Sequence, residues 1–168
     1  MRYLRRALES PLTAAARSFR AVVLTGPRRS GKTCLLRHLF PKATYHLFED
    51  SDVVSRFCHD PQGFLDGVRP PAILDEIQNV PEVFNFVRAR IDCQSRRTGQ
   101  WFLTGSQESG LMRHVTESMA GRAAGLQLLP MSARETPKAG LLRGGFPEVL
   151  APGVLALPWQ EFVTRGVA

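Results

Sequence analysis

Residues 21–33, Ala-Val-Val-Leu-Thr-Gly-Pro-Arg-Arg-Ser-Gly-Lys-Thr, constrain this chain more than any other stretch. An apolar, β-branched run delivers a glycine-rich turn, and a Lys-Thr pair then opens a Leu-containing segment with helical spacing. That is the P-loop pattern G-x-x-x-x-G-K-[ST], and a chain of this composition contains it by chance about 0.002 times. Gly26 and Gly31 let the backbone bend until several N–H groups point inward, where an anion sits on them at a helix N-terminus. The loop residues Gly26, Pro27, Arg28, Arg29, Ser30, Gly31, Lys32 and Thr33 are therefore the candidate phosphate binders. Lys32 brings a charge on a flexible stem to the β- and γ-phosphates, and Thr33 offers a hydroxyl to Mg²⁺. A triphosphate is the implied ligand. A G-x-G-x-x-G fingerprint is absent, which argues against a dinucleotide.

A second motif follows Pro70-Pro71, where the apolar run Ala72-Ile73-Leu74 ends in Asp75-Glu76. It matches a Walker B element. In a parallel sheet the C-terminal end of such a strand faces the phosphate loop, so Asp75 can hold Mg²⁺ while Glu76 polarises an attacking water. A further apolar strand, Trp101-Phe102-Leu103, ends in Thr104-Gly105-Ser106. Thr104 first, and Ser106 second, are placed to sense the γ-phosphate or position water, although a strand stopping at a polar turn reads the same way.

Composition narrows the class. At 168 residues with 43% hydrophobic and 22% charged content, the chain suits one soluble domain with a sizeable core. The net charge of +7 sets nineteen arginines and three lysines against fifteen acidic residues, and the basic residues are scattered except at Arg5-Arg6, Arg28-Arg29 and Arg96-Arg97, which favours a solvated surface over a nucleic-acid face. Cys34, Cys58 and Cys93 have neither C-x-x-C spacing nor an even count, so a reducing compartment, the cytoplasm, is expected. No apolar run reaches the ~18 residues that span a bilayer.

The remaining chain supplies connecting elements. Residues 2–19 read as two short helices broken at Pro11, and residues 45–48 as a strand closing on Glu49-Asp50. A polar segment leads to a helix start at Asp60-Pro61, and a second helix begins at Pro81 with Val83, Phe84, Phe86, Val87 and Ile91 on its apolar face. Residues 111–120 are helical in pattern and contain His114, which reads as a packing residue. Another strand is expected over residues 126–129, ended by Pro130, and residues 134–168 are broken by repeated Gly and Pro.

Taken together, these motifs resemble bacterial and archaeal AAA+-like ATP-binding proteins. The shared features are the loop, Asp75-Glu76-Ile77-Gln78, Leu103-Thr104-Gly105-Ser106, Ala120-Gly121-Arg122, Pro130-Met131-Ser132 with Glu135, and Gly144-Gly145-Phe146-Pro147-Glu148. The resemblance covers residues 20–150 and implies an α/β P-loop NTPase of the additional-strand type, a mostly parallel sheet flanked by helices, with ATP as nucleotide. It divides the chain into lead-in helices at 1–19, an ATPase core at 20–133, and a partial lid or linker at 134–168. Members of that group usually continue into a C-terminal domain of unknown function through a helix carrying an Arg-Asp pair. Here Gly166 follows Arg165 instead, so the chain looks like an isolated ATPase core.

The expected activity is Mg²⁺-dependent ATP hydrolysis, with Glu76 acting on water and Arg122 serving as a finger toward a neighbouring subunit. A helix-end arginine tied to a carboxylate is the other reading of Arg122. Expected partners are ATP, a second copy of the chain, and DNA or a protein partner, with no membrane. The alternative is a nucleotide-gated module that binds DNA or protein with little turnover. A P-loop kinase is less supported, because Asp75-Glu76 supplies a base for water and no arginine-rich lid clearly follows the core.

Overall fold

The computed structural model describes residues 3–93, 97–106, 119–136 and 145–146. Its centre is a five-stranded parallel sheet ordered β2-β3-β4-β1-β5, made of β1 (Ala21–Thr25), β2 (Thr44–Leu47), β3 (Ala72–Asp75), β4 (Trp101–Gly105) and β5 (Ala123–Gln127). β4 lies between β1 and β3, which is the additional strand that the family resemblance implied. Parallel strands covered on both faces read as near-continuous apolar runs, and all residues of β1, β3 and β4 are buried.

Alternation along the strands divides the core into two. Val22, Leu24, Ile73 and Phe102 face α1 (Glu9–Ser18) and α2 (Lys32–Leu39) through Leu12, Ala16, Leu35 and Leu36. Val23, Leu74, Trp101 and Leu103 face α3 (Ser51–His59), α4 (Pro61–Gly67) and α5 (Val83–Cys93) through Phe57, Phe64, Val83, Phe84 and Val87. Among the described residues no helix is long and apolar enough to cross a membrane.

Three expectations change. Residues 9–18 form one helix, because Pro11 falls in the first turn, where a missing N–H costs nothing, and so does not break it. The polar segment after Asp50 is helical: Asp50 caps α3 by accepting from the Asp52 N–H at 2.9 Å, and Phe57 is its one buried residue. So small an apolar face is masked by the polar residues around it. The last described strand runs over Ala123–Gln127 instead of 126–129, because register with β1 pairs Ala21 with Ala123 and Thr25 with Gln127. Ala-Ala-Gly has little strand preference of its own, and the neighbouring strand imposes it. The helical pattern at 111–118 with His114, and residues 137–144 and 147–168, lie outside the described residues.

The chain before α1 runs as a strap over the phosphate loop and its helix. The Tyr3 ring stacks on His38 of α2 with centroids 3.7 Å apart, and its hydroxyl donates to Glu9 at 2.8 Å. Arg6 is buried beside the loop and donates to Glu135, which also accepts from the backbone N–H groups of Ala7 and Ser132. Burial opposes ionisation of Glu135, but those N–H donors and Arg6 outweigh it and hold the carboxyl below the usual range. Because the folded value is depressed, the stabilisation is present above the unfolded glutamate value of about 4.3 and is lost as pH falls through the folded value. Urea midpoints should therefore drop on acidification below about pH 4.3, and Glu135→Gln should flatten that part of the profile.

Candidate functional site: the phosphate loop and the Asp75 carboxylate

The loop connects β1 to α2, so it stands at the C-terminal edge of the sheet. Gly26 has φ +150°, and a Cβ there would lie 2.1 Å from the Leu128 carbonyl oxygen, so only glycine lets the loop start against the chain leaving β5. Gly31 has φ +95° and precedes the first turn of α2, whose opening N–H groups have no intrahelical partner. Arg29 also adopts a left-handed conformation, with φ 63°.

Within this loop the side chains are poised for an anion. Lys32 is 3% exposed, and its Nζ donates to the Gly26 and Pro27 carbonyls at 3.1 Å each. Burial pushes its pKa down, opposed by the nearby Glu76 and Asp75 carboxylates. The Ser30 hydroxyl is buried with no hydrogen-bond partner among the described residues, an unsatisfied donor that a phosphate oxygen would complete. Arg28 forms an exposed ion pair with Glu49 at the rim.

Asp75 ends β3 and is 1% exposed. Alternation puts it on the same face as Ile73 and Phe102, the face covered by α2, and three hydroxyls from three other elements converge on it. Thr33 at the start of α2 donates to Oδ2 at 2.7 Å, Tyr45 on β2 donates to Oδ2 at 2.7 Å, and Thr104 on β4 donates to Oδ1. A carboxylate offers about four acceptor positions, so one remains. Burial and the Asp75 carboxylate push the Tyr45 phenol up, which keeps it a donor. Thr33 gives its proton to Asp75 and retains oxygen lone pairs, so Thr33 and Asp75 fit the outer part of an Mg²⁺ shell completed by phosphate and water. Among the described residues no cluster of three or more His, Cys, Asp or Glu could hold a metal by protein ligands alone.

Glu76 follows in the left-handed region, with φ 56° and ψ 44°. Its N–H donates to the Thr104 hydroxyl at 3.2 Å, and its carboxylate accepts from Gln78 Nε2 at 2.6 Å. Gln78 in turn accepts from the Ser106 N–H at 3.1 Å, so the 3₁₀ turn Ile77–Asn79 bridges the ends of β3 and β4. Thr104 is fully buried, with its proton given to Asp75.

The fold thus brings Gly26 to Thr33, Asp75, Glu76, Thr104 and Ser106 to one edge. Arg122 is elsewhere. Its carbonyl accepts from the Ala21 N–H at the N-terminal edge of the sheet, and its guanidinium is bidentate on Asp92 at 2.7 and 3.0 Å. Tyr45 and Gln78 were not assigned roles from sequence: period-two spacing from Leu47 is the only hint for Tyr45, and position within Asp-Glu-Ile-Gln the only hint for Gln78.

Strand order, loop and Asp75 together define an α/β P-loop NTPase. Residues 18–136 match the family model described as AAA domain, and the chain belongs to that family. It is 32% identical over 145 residues to the uncharacterized protein Mb2031c of Mycobacterium bovis and, to the same extent, to the uncharacterized protein Rv2008c of Mycobacterium tuberculosis. Those matches cover 80% of this chain and 33% of each relative, so the chain spans about a third of their length. In structure it is similar to the Walker-type ATPase PABY2304 of Pyrococcus abyssi, with a TM-score of 0.57 at 16% identity, covering 98% of this chain and 69% of that one. That likeness shows the fold, and family membership supports nucleotide binding.

Gly26→Ala should force the loop away from Leu128. Expected outcomes are a lower thermal midpoint and loss of nucleotide-analogue binding by fluorescence titration, whereas Gly67→Ala, with open space around its Cβ, should change neither measurably.

Proposed function

We propose that this chain binds ATP with Mg²⁺ and hydrolyses it, and the observation that carries this reading is the Thr33–Asp75 hydrogen bond at 2.7 Å beneath the phosphate loop. That bond joins the two elements a triphosphate site needs, the anion cradle and a buried carboxylate. The loop N–H groups, the Ser30 hydroxyl and Lys32 bind phosphate oxygens, with Lys32 exchanging its loop carbonyls for them. Thr33 and Asp75 would hold Mg²⁺, which when bound would offset charge on the phosphates. Glu76, half-buried next to Asp75 and held by Gln78, orients or deprotonates water. Thr104 acts as a positioning residue, fixing the Asp75 carboxylate and the Glu76 backbone.

Lys32→Ala should abolish nucleotide binding. Glu76→Gln should bind like wild type while turnover falls by about 10²-fold or more, the usual contribution of a general base. Wild-type phosphate release from Glu76→Gln protein would remove Glu76 from this role.

Arg122 sits at the opposite edge of the sheet from its own loop, so as an arginine finger it acts only on another copy of the chain. Such a finger contributes about 10³ to 10⁵ in rate. Mixing Arg122→Ala with Lys32→Ala protein should then restore activity that neither has alone, and no recovery at any mixing ratio would leave Arg122 as the partner of Asp92. That same placement favours a second reading, in which a lone copy binds nucleotide with little turnover and its net charge of +7 engages DNA or a protein partner. DNA binding that weakens steeply with salt and changes with ATP would distinguish it.

A further inference from the structure

We propose that Arg6 is a positioning residue for the phosphate loop, with Glu135 as its counter-ion, so that the strap before α1 and the segment after β5 together set the loop's geometry. This rests on the reading of the loop as a nucleotide site. Arg6 is 5% exposed, and its guanidinium fans out to three acceptors on two separate pieces of chain, the loop and the segment after β5. Nη1 donates to the Ser30 carbonyl at 2.8 Å, Nη2 to the Leu129 carbonyl at 2.6 Å, and Nε to Glu135 Oε1 at 3.0 Å. Glu135 is tied in turn by the Ala7 N–H at 2.8 Å and by the N–H and hydroxyl of Ser132 at 2.7 and 3.2 Å. Behind it, the Met131 N–H donates to the Gly145 carbonyl at 2.6 Å, and a Cβ at Gly145 would fall 1.9 Å from the Met131 carbonyl oxygen. The motif residues Pro130-Met131-Ser132 with Glu135 and Gly145 are thereby given a place.

The contact with Ser30 is the one that reaches the site. A peptide unit is planar and trans, so a carbonyl held from one side fixes the following N–H in the opposite sense. Holding the Ser30 carbonyl therefore fixes the Gly31 N–H, the loop amide immediately before Lys32 and the first turn of α2. Glu135 neutralises the Arg6 charge, so the guanidinium acts by geometry and not as an extra cation for the nucleotide. The planar guanidinium spreads its donors over three nitrogens in fixed directions that match these acceptors, whereas a lysine ammonium places its three donors on one atom at the end of a flexible stem. A buried ion pair is weak support for stability in itself, and an apolar pair of similar volume replaces one without loss in many proteins. Such a pair retained against the loop is consistent with a geometric role.

The test removes both charges together, because a lone buried Glu135 would unfold the chain for an unrelated reason. In Arg6→Met/Glu135→Leu protein the unfolding midpoint without nucleotide should fall, because the Ala7 and Ser132 N–H groups also lose their acceptor, while the chain stays folded at the temperature of the binding assay. Its affinity for a fluorescent ATP analogue should fall by about tenfold or more, the size expected when a supporting contact is lost. Amide exchange at Gly31 should quicken. Arg6→Lys, which keeps the charge and the Glu135 pair, should also lose affinity, and it decides the matter if the double variant does not fold. Wild-type affinity in whichever of these variants folds, measured beside a wild type that binds, overturns the clamp and leaves the nucleotide site standing. Failure of the wild-type chain to bind the analogue overturns both.

Discussion

The Asp75 carboxylate is the point on which the site depends. Buried at 1% exposure, it would be costly to keep without partners, and it is kept by three hydroxyls from β2, β4 and the first turn of α2. Two of those bonds follow from strand order, in which β4 sets Thr104 beside Asp75 on one side and β2 brings Tyr45 from the other, and the third comes from the first turn of α2 over that face. Strand order and site chemistry are therefore one constraint. Another order would leave a buried carboxylate with unfilled acceptors.

The phosphate loop is supported from the other flank. Gly26 meets the Leu128 carbonyl at a distance no side chain permits, and the Ser30 carbonyl is held by Arg6, which also holds Leu129 and Glu135. The chain leaving β5 thus touches the loop at its first glycine and, through Arg6, at its fifth residue. Backbone carbonyls of Leu128, Ser30 and Leu129 accept or crowd these contacts, so the side chains at those three positions do not set them, whereas Gly26 and Arg6 do.

Much of the site was legible because its chemistry is local. Gly26, Gly31, Lys32 and Thr33 lie within one turn, and Asp75-Glu76 ends a recognisable apolar run. The strands over Ala21–Thr25, Ala72–Asp75 and Trp101–Gly105 were equally plain, since full burial demands uninterrupted apolar residues. α3 and β5 were not. The first has one buried residue, and the second takes its extent from pairing with β1. Tyr45 and Arg6 were hidden for a related reason: their partners lie 30 and 129 residues away, and no spacing rule reaches that far.

From the sequence alone came the kind of chemistry, a cradle for phosphates and a pair of carboxylates to work beside it, because those demands fall on residues close together in the chain. Tertiary structure decided which groups hold those residues in place and which do not share their site. Tyr45 and Thr104 reach Asp75 through strand register, Arg6 reaches Ser30 through a strap folded back over α2, and Arg122 goes to the opposite edge with Asp92. Register, strand order and burial are properties of packed elements, and they come into existence only when distant stretches of chain exclude water from one another.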